Sequence, residues 1–282
     1  MRPPIASMQN AGVKRAVRLR RRRARDREGA FLIEGYRELL RAMEVGLPLE
    51  AVYHCPEFYL GSNEPALLER AGQAGGALLI QTSAAVFAKL SYRDRPDGLL
   101  AVAPLPAWTL QGLPAPGPDS LYVVATAIEK PGNLGTLLRS ADAVGAAGVI
   151  ACDPVTDLFN PNVVRASVGT LFTVPAAQAD ATATRRWLDA HGVRTVVTTP
   201  AAERCYTDHD LTGALAIILG SEQFGLDAAW LDGRHGAVSI PMLGHADSIN
   251  VAMAGTTLLF EALRQRSQAK QSSLPRRGGR SP

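Results

Sequence analysis

The chain has 282 residues, of which 46% are hydrophobic and 20% charged, and its formal net charge is +4 at pH 7; this is the composition of a globular protein long enough for two domains. No stretch offers the roughly 18 uncharged apolar residues of a membrane-spanning helix, and no apolar segment directly follows the basic N-terminus as in a signal peptide, so the cytoplasm is the expected compartment. The 3 cysteines and 5 histidines lack the spacing of a disulfide framework or of metal ligands, so neither a disulfide nor a metal site is expected.

The N-terminal region is basic. Residues 1–12 lack periodicity and are expected to form a loose arm, and residues 14–27 are crowded with Lys and Arg. Because this run is nearly all of one sign, it cannot neutralise itself through i,i+4 ion pairs, so we expect it to bind a polyanion such as nucleic acid. A solvated basic helix without a partner is the alternative. The predicted contacts are four consecutive arginines, Arg20, Arg21, Arg22 and Arg23.

Alternating apolar patterns predict a small α/β unit that completes an N-terminal domain over residues 1–103. Strands are expected at 31–33, 51–54, 77–80 and 99–103, and helices at 36–45, at 64–74 and from a Ser83 cap to Leu90. Residues 104–119 are rich in proline and glycine, and proline fixes φ and removes a backbone donor. We therefore expect a linker or an extended surface strap there.

The remainder repeats a strand, loop and helix rhythm. Strands are expected at 121–126, 148–152, 193–198, 214–219 and 237–240, and helices at 134–144, 181–191 and 250–265. This alternation predicts an α/β domain over residues 120–266, with a mostly parallel sheet covered on both faces. Residues 267–282 have a composition that cannot form a core, and they are expected to be a disordered basic tail.

Three polar segments follow apolar runs in this second domain, at residues 133–139, 219–226 and 248–254. In open α/β sheets ligands bind at the carboxyl ends of strands, so these segments predict one composite site. Glu222 comes directly after an apolar run, and its burial would need a partner, for which Arg139 is the candidate. An exposed loop glutamate is the alternative.

Further polar residues lie near predicted helix starts. Ser248 is expected to be the N-cap of the final helix, and Asn250 beside it offers both a donor and an acceptor. Asn160-Pro161 suggests a turn that opens a short helix, which would place Arg165 and Ser167 near its start. Phosphate binding and a plain helix cap both stay open for these two residues.

Together these segments resemble the SpoU branch of the SPOUT superfamily, the RNA ribose 2′-O-methyltransferases. Three family motifs are matched in order: Asn-x-Gly-x-x-x-Arg at 133–139, Gly-[Ser/Asn]-Glu-x-x-Gly-Leu at 220–226, and Ser-[Leu/Ile]-Asn-[Val/Ala] at 248–251. The match spans 121 to about 266. The basic arm followed by Phe-Leu-Ile-Glu-Gly at 31–35 is similar to the RNA-recognising domain of ribosomal RNA methyltransferases that confer antibiotic resistance.

The resemblance implies a catalytic domain with a deep trefoil knot, a feature that general topology rules would not propose. It also implies a homodimer with the final helix in its interface, no metal, and S-adenosylmethionine as the cofactor. The residues expected to contact the cofactor are Thr198, Leu219, Gly220, Ile240, Met242 and Ile249.

For the reaction, the resemblance places Arg139 at the target ribose. The residues expected around it are Asn133, Glu222, Ser248 and Asn250. In this family the arginine is commonly proposed to take the proton of the 2′-hydroxyl, but a guanidinium is effectively always protonated. Our hypothesis is that Arg139 holds the adjoining phosphate and orients the hydroxyl, so that alignment lowers the barrier.

The separate N-terminal domain and its arginines favour a large structured RNA, and ribosomal RNA over transfer RNA. A role in antibiotic resistance and a housekeeping role both stay open. Methylation of transfer RNA and a non-enzymatic RNA-binding or ribosome-assembly protein are the alternatives. A dinucleotide-dependent oxidoreductase is disfavoured, because the third glycine and the acidic ribose contact of that fold are missing.

Overall fold

The computed structural model describes residues 3–233 and 235–273. Two sheets organise them, one of four strands and one of six. They lie on either side of the Pro-rich segment 104–119, although the division into domains at that segment stays a prediction. Within the described residues, no helix has the length and apolar character that crossing a membrane requires.

Two helices precede the first strand, and the prediction of a loose arm is wrong for the described part of residues 1–12. Helix α1 (Ala11–Arg18) begins after Asn10, whose side chain accepts hydrogen bonds from the backbone N–H groups of Gly12 and Val13. Upstream, the N–H of Ile5 donates to the carbonyl of Gln81 at 2.8 Å. Helix α2 (Arg22–Glu28) ends at Gly29 in the left-handed conformation.

The four-stranded sheet has the order β1-β4-β2-β3, with β2 and β3 parallel and β4 antiparallel to both of its neighbours. Each predicted strand and helix of this region is present, and Ser83 caps its helix as expected. The elements are β1 (Ala30–Glu34), α3 (Tyr36–Glu44), β2 (Ala51–His54), α4 (Glu64–Gly75), β3 (Leu78–Gln81), α5 (Ala84–Leu90) and β4 (Leu99–Pro104).

The six-stranded sheet is parallel throughout, in the order β10-β8-β9-β5-β6-β7. Apolar side chains are buried on both of its faces, as expected of a parallel sheet. Its elements are β5 (Leu121–Thr126), α6 (Pro131–Ala143), β6 (Gly148–Cys152), α7 (Pro161–Ala166), α8 (Thr170–Thr173), β7 (Ala176–Ala179), α9 (Ala181–Ala190), β8 (Arg194–Thr198), β9 (Leu215–Leu219), β10 (Gly236–Val238) and α10 (Val251–Ser273).

Two differences from the predicted elements have clear causes. Strand β7 was not predicted, because its sequence Ala-Ala-Gln-Ala contains no β-branched or aromatic residue. Helix α10 continues to Ser273, so the prediction of a disordered tail is wrong for residues 267–273. Arg266 fixes this part of the helix by donating to the carbonyls of Leu211 and Gly213. Residues 274–282 lie outside the described residues.

The two sheets share one hydrophobic core. Phe31 of β1 packs against Phe159, with ring centroids 4.9 Å apart, and Trp108 of the Pro-rich segment contacts Phe159 at the same distance. Polar bonds add to this contact, since Arg41 donates to the carbonyl of Val168 at 2.9 Å and Tyr92 to that of Pro161 at 3.2 Å. The N-terminal sheet is therefore docked closely on the α7–α8 region.

Candidate active site

A cavity of about 420 Å³ lies at the carboxyl ends of β8, β9 and β10, against the start of α10. This is the edge at which the three motifs were predicted to meet. All six residues predicted to contact a cofactor line it, although their cofactor role stays a prediction. They are Thr198, Leu219, Gly220, Ile240, Met242 and Ile249.

The Gly-Ser-Glu-x-x-Gly segment forms a tight turn beside this cavity. Ser221 and Gly225 exchange backbone hydrogen bonds of 2.9 and 3.2 Å, and Gly225 has φ +67°. A Cβ atom on Gly220 would lie 2.4 Å from the carbonyl carbon of Gly225, so only glycine fits there. The turn projects Glu222 from the cavity wall toward α6.

Glu222 is held by three donors from the segment that opens α6. Its carboxylate accepts from Asn133 Nδ2 at 2.5 Å, and from the N–H groups of Glu129 and Lys130 at 3.2 and 3.4 Å. Partial burial raises the pKa of Glu222, but these hydrogen bonds outweigh burial and leave the pKa below its ordinary value. The site therefore holds an ionised carboxylate at neutral pH.

The predicted pairing of Glu222 with Arg139 is wrong. Amide groups satisfy the carboxylate instead, and Arg139 is exposed on α6, where no described residue forms a hydrogen bond or ion pair with its side chain. Helix phase explains the difference. Asn133 lies in the first turn of α6 and faces the turn at Gly220. Arg139 is on a different face of the helix, because it lies one turn after Gly135, which packs against α7.

Asn133 also links Glu222 to the last motif. Its Oδ1 accepts from Asn250 Nδ2 at 3.0 Å, and Asn250 Oδ1 accepts from the N–H groups of Ala252 and Met253 at 2.9 and 3.3 Å. Asn250 is therefore the cap of α10, and the prediction that Ser248 caps it is wrong. Ser248 lines the cavity. Four of the five predicted catalytic residues thus lie together at this edge.

The segment with Arg165 and Ser167 also differs from expectation. Helix α7 ends at Ala166, so Arg165 lies in its last turn rather than near its start. Ser167 is fully buried, donating to the carbonyl of Val164 at 2.7 Å and accepting from the N–H of Gly169 at 3.2 Å. Ser167 is thus a structural cap, whereas Arg165 is exposed and its role in phosphate binding stays a prediction.

Part of the basic run is paired with acids. The prediction that the run cannot neutralise itself through i,i+4 ion pairs did not include the one such pair that forms, between Arg22 and Asp26. Arg15, Arg18 and Arg27 share Glu28, and Arg22 lies 3.8 Å from Asp26 in an i,i+4 pair. The sequence did not predict this pairing, because most of it depends on how α1 packs against α2.

The four arginines predicted to bind nucleic acid have different surroundings. Arg20 donates to the carbonyls that end α5, Lys89, Leu90 and Ser91, at 2.5 to 2.8 Å. Arg22 donates to the carbonyl of Pro154 at 3.1 Å. Arg21 and Arg23 are exposed, and no side-chain hydrogen bond or ion pair forms between them and the described residues.

The cavity is lined by both apolar and polar residues, so it suits a ligand that has both kinds of surface. Leu219, Ile240 and Ile249 contribute apolar surface, and the strand ends bring backbone groups to the wall. Thr198 Oγ1 is buried without a hydrogen-bond partner among the described residues, so a bound ligand could supply one. No group of three or more potential metal ligands was found within the described ranges.

Sequence reasoning missed several residues that hold the site. Lys130 lines the cavity, and its N–H contacts Glu222. Thr156 and Asp157 follow β6 and bond to Glu129 and Arg25, respectively. Thr156 and Asp157 follow an apolar strand, which is the position that could have identified them. Nothing in the sequence distinguishes Arg25 from its neighbouring arginines.

Comparisons with known proteins agree with this geometry. The model of the SpoU rRNA Methylase family matches residues 120–260, and that of the MRM3-like substrate binding domain matches residues 10–101. The chain is similar to the 23S rRNA (uridine(2479)-2′-O)-methyltransferase of Streptomyces viridochromogenes, with 33% identity over 90% of this chain and 89% of that protein.

Solved structures give the same result. An RNA 2′-O ribose methyltransferase is 42% identical with a TM-score of 0.81, covering 93% of this chain and 99% of that one. An AdoMet-bound rRNA methyltransferase from Sinorhizobium meliloti is 30% identical with a TM-score of 0.84, covering 93% and 97%.

Proposed function

The chain belongs to the SpoU rRNA methylase family, and we propose on this basis that it transfers the methyl group of S-adenosylmethionine to a ribose 2′-hydroxyl of ribosomal RNA. The observation that carries the proposal is the bonded series Asn250, Asn133 and Glu222 beside the cavity. It joins one residue from each of the three motifs, which are far apart in the chain. The relatives' names support ribosomal RNA over transfer RNA.

The cavity residues would hold the cofactor, which when bound supplies an electrophilic methyl group on a sulfonium. Leu219, Ile240 and Ile249 would contact its apolar surface, and Thr198 Oγ1 would gain the hydrogen bond that it lacks. Met242 and Gly220 complete the wall.

The polar residues beside the cavity would position the RNA. Asn133, Ser248 and Asn250 offer hydrogen-bonding groups, and the ionised Glu222 keeps the Asn133 amide in a fixed orientation. The exposed Arg139 and Arg165 are available to hold phosphates, and we assign to Arg139 the phosphate beside the target ribose. Such fixed orientation of the attacking hydroxyl is the contribution that lowers the barrier.

We also propose that the protein is a homodimer with the trefoil knot of its family. The support for the knot is the match to the family over residues 120–260. The support for the dimer is apolar surface on α10, where Met253 and Phe260 are 59% and 49% exposed. A second copy seated on this face would bury both side chains. Sedimentation of the purified protein tests the dimer, and substitution of Phe260 by Glu should yield monomers. The cytoplasm is the compartment that a ribosomal substrate implies.

The first experiment is transfer of a labelled methyl group from S-adenosylmethionine to ribosomal RNA and to bulk transfer RNA. Arg139→Ala and Glu222→Ala are assayed alongside. We expect label in ribosomal RNA that both substitutions reduce. Label in transfer RNA alone would show that the proposed reaction is right and that the proposed substrate is wrong. An absence of label together with an absence of cofactor binding by calorimetry would favour a non-enzymatic RNA-binding protein.

A further inference from the structure

The loop after β6 contacts the segment 128–130, whose backbone N–H groups donate to the Glu222 carboxylate. Thr156 is 7% exposed, and its Oγ1 donates to the carbonyl oxygen of Glu129 at 2.5 Å. The N–H of Thr156 also donates to the carbonyl of Ile128 at 3.2 Å. Two hydrogen bonds from one residue therefore fix the segment 128–129.

The same segment supplies the backbone donors to Glu222. The N–H of Glu129 and that of Lys130 both point at the carboxylate. The Lys130 N–H belongs to the same peptide group as the Glu129 carbonyl that Thr156 holds. Rotation of this peptide group would break both bonds together, so the Thr156 hydroxyl sets the direction of a donor to Glu222.

The next residue ties this loop to the N-terminal helices. Asp157 lies 2.5 Å from Nη2 of Arg25, whose side chain is 1% exposed. Arg25 Nη1 also donates to the carbonyls of Leu19 and Arg20 at 3.1 and 3.0 Å, at the junction of α1 and α2. Breaking a buried pair of this kind is costly, because separating the charges leaves both without solvation.

Both loops begin with a residue in the left-handed conformation. Ala127 has φ +51° and Asp153 has φ +45°, which are uncommon values for residues other than glycine. The Ala127 N–H donates at 2.8 Å to the carbonyl of Cys152, the residue that precedes Asp153, so the two loops are bonded to each other where they leave neighbouring strands. Strained backbone persists only where its surroundings determine it, and it concentrates at functional sites.

We propose that Thr156 and Asp157 are positioning residues that couple the docked basic helices to the Glu222 carboxylate. The coupling runs from Arg25 through Asp157 and Thr156 to the Glu129–Lys130 peptide and then to Glu222. It rests on the proposed methyltransferase function. Neither residue lines the cavity, so both act through the loop rather than on substrate or cofactor.

The test is a set of threonine substitutions assayed on the full chain. Thr156→Val removes the hydroxyl while keeping the shape, and Thr156→Ser keeps the hydroxyl. We expect Thr156→Val to lower kcat about five- to tenfold, the effect of one hydrogen bond, while KM for RNA and Kd for S-adenosylmethionine stay within about twofold. Thr156→Ser should restore most of kcat. Asp157→Asn, which weakens the ion pair with Arg25, should also lower kcat.

Thr184→Val is the matched control, because Thr184 is also buried and its hydroxyl donates to a backbone carbonyl, that of Asp180, at 2.8 Å. It lies on α9, it does not line the cavity, and it has no hydrogen bond to the segment 128–130. Wild-type kcat in Thr156→Val, or an equal loss in Thr156→Val and Thr184→Val, would overturn the inference. Failure of the proposed function is a separate result, because the wild-type protein would then transfer no methyl group.

Discussion

Gly135 of helix α6 lies so close to Ala166 of helix α7 that a Cβ atom on the glycine would stand 2.5 Å from the alanine Cβ. The same atom would also lie 2.8 Å from the backbone nitrogen of Ser167. The middle residue of the first motif is therefore a packing residue. Its close contact fixes α6, and with it Asn133, against the α7 region that docks on the N-terminal sheet.

Gly135→Ala is expected to destabilise the protein by about 1–3 kcal/mol, because backbone atoms cannot yield to the added methyl group. Gly132→Ala is the control in the same helix, since nothing lies within 4 Å of a Cβ there. It should stabilise by about 0.4–1 kcal/mol through lower unfolded-state entropy. Thermal unfolding measures both, and equal effects of the two substitutions would contradict this account of the contact.

The pH dependence of activity should reflect the lowered pKa of Glu222. Since the folded-state pKa lies below the ordinary value of 4.5, the carboxylate stays ionised at neutral pH. Its contribution to stability is present above pH 4.5 and is lost as pH falls through the lowered pKa. Activity should therefore be constant across the neutral range with respect to this group and decline only in acid.

A matched variant isolates this effect. Glu222→Gln keeps a hydrogen-bond acceptor but cannot titrate, so its pH–rate profile should lack the acid decline that Glu222 causes. The measurement is kcat on ribosomal RNA from neutral pH down to the most acid pH at which circular dichroism shows that the protein stays folded. An acid decline in wild type that is centred well above pH 4.5 would contradict the assignment.

The sequence predicted which motif residues meet at the site better than it predicted the contacts that hold those residues in place. The three motifs follow strands, and parallel strands bring their carboxyl ends to one edge, so the meeting of Asn133, Glu222 and Asn250 could be predicted. The partner of Glu222 could not, because it depends on the rotation of α6 about its axis. Strand β7 was missed because local composition does not indicate a strand where neighbouring strands impose one.

The basic run shows why charge alone is a poor guide to function. Arg25 is 1% exposed and is held by Asp157, which lies more than a hundred residues later in the chain. Arg23, two residues earlier, is exposed and has no hydrogen bond or ion pair with the described part of the chain. The two residues are equivalent in the sequence, and only tertiary packing assigns one to structure and the other to a surface.

Arg25→Met should therefore destabilise the protein by about 3–5 kcal/mol, because Asp157 is left as an uncompensated buried charge. Arg23→Met, the same change on the surface, should stay within about 0.5 kcal/mol. Chemical denaturation at neutral pH compares the two. A small effect at Arg25 would indicate that water solvates Asp157 once the guanidinium is removed.

For RNA affinity we expect the exposed arginines, rather than the buried Arg25, to matter. Arg21→Ala and Arg23→Ala remove exposed, unpaired charges of the basic helices, and each should reduce the slope of log K against log salt by about 0.7–0.9 if it contacts a phosphate. Arg70→Ala, an exposed arginine on α4, is the control for total charge. Filter binding at several salt concentrations gives the slopes. Equal slopes in all variants would show that these arginines do not contact RNA.

The role of Arg139 can be decided by the sign of a pH effect. If Arg139 holds a phosphate, Arg139→Lys keeps the charge but loses the planar fork, so it should retain part of the activity. Its activity should then fall as pH rises through the lysine pKa, about 10.4 in the ordinary case, because only the charged amine binds phosphate. If the residue at this position instead removed the hydroxyl proton, only the neutral lysine would act, and activity would rise over the same range.

Wild-type activity should stay flat toward alkaline pH, because a guanidinium keeps its proton there. A rising alkaline limb in the lysine variant alone would overturn the phosphate-holding role.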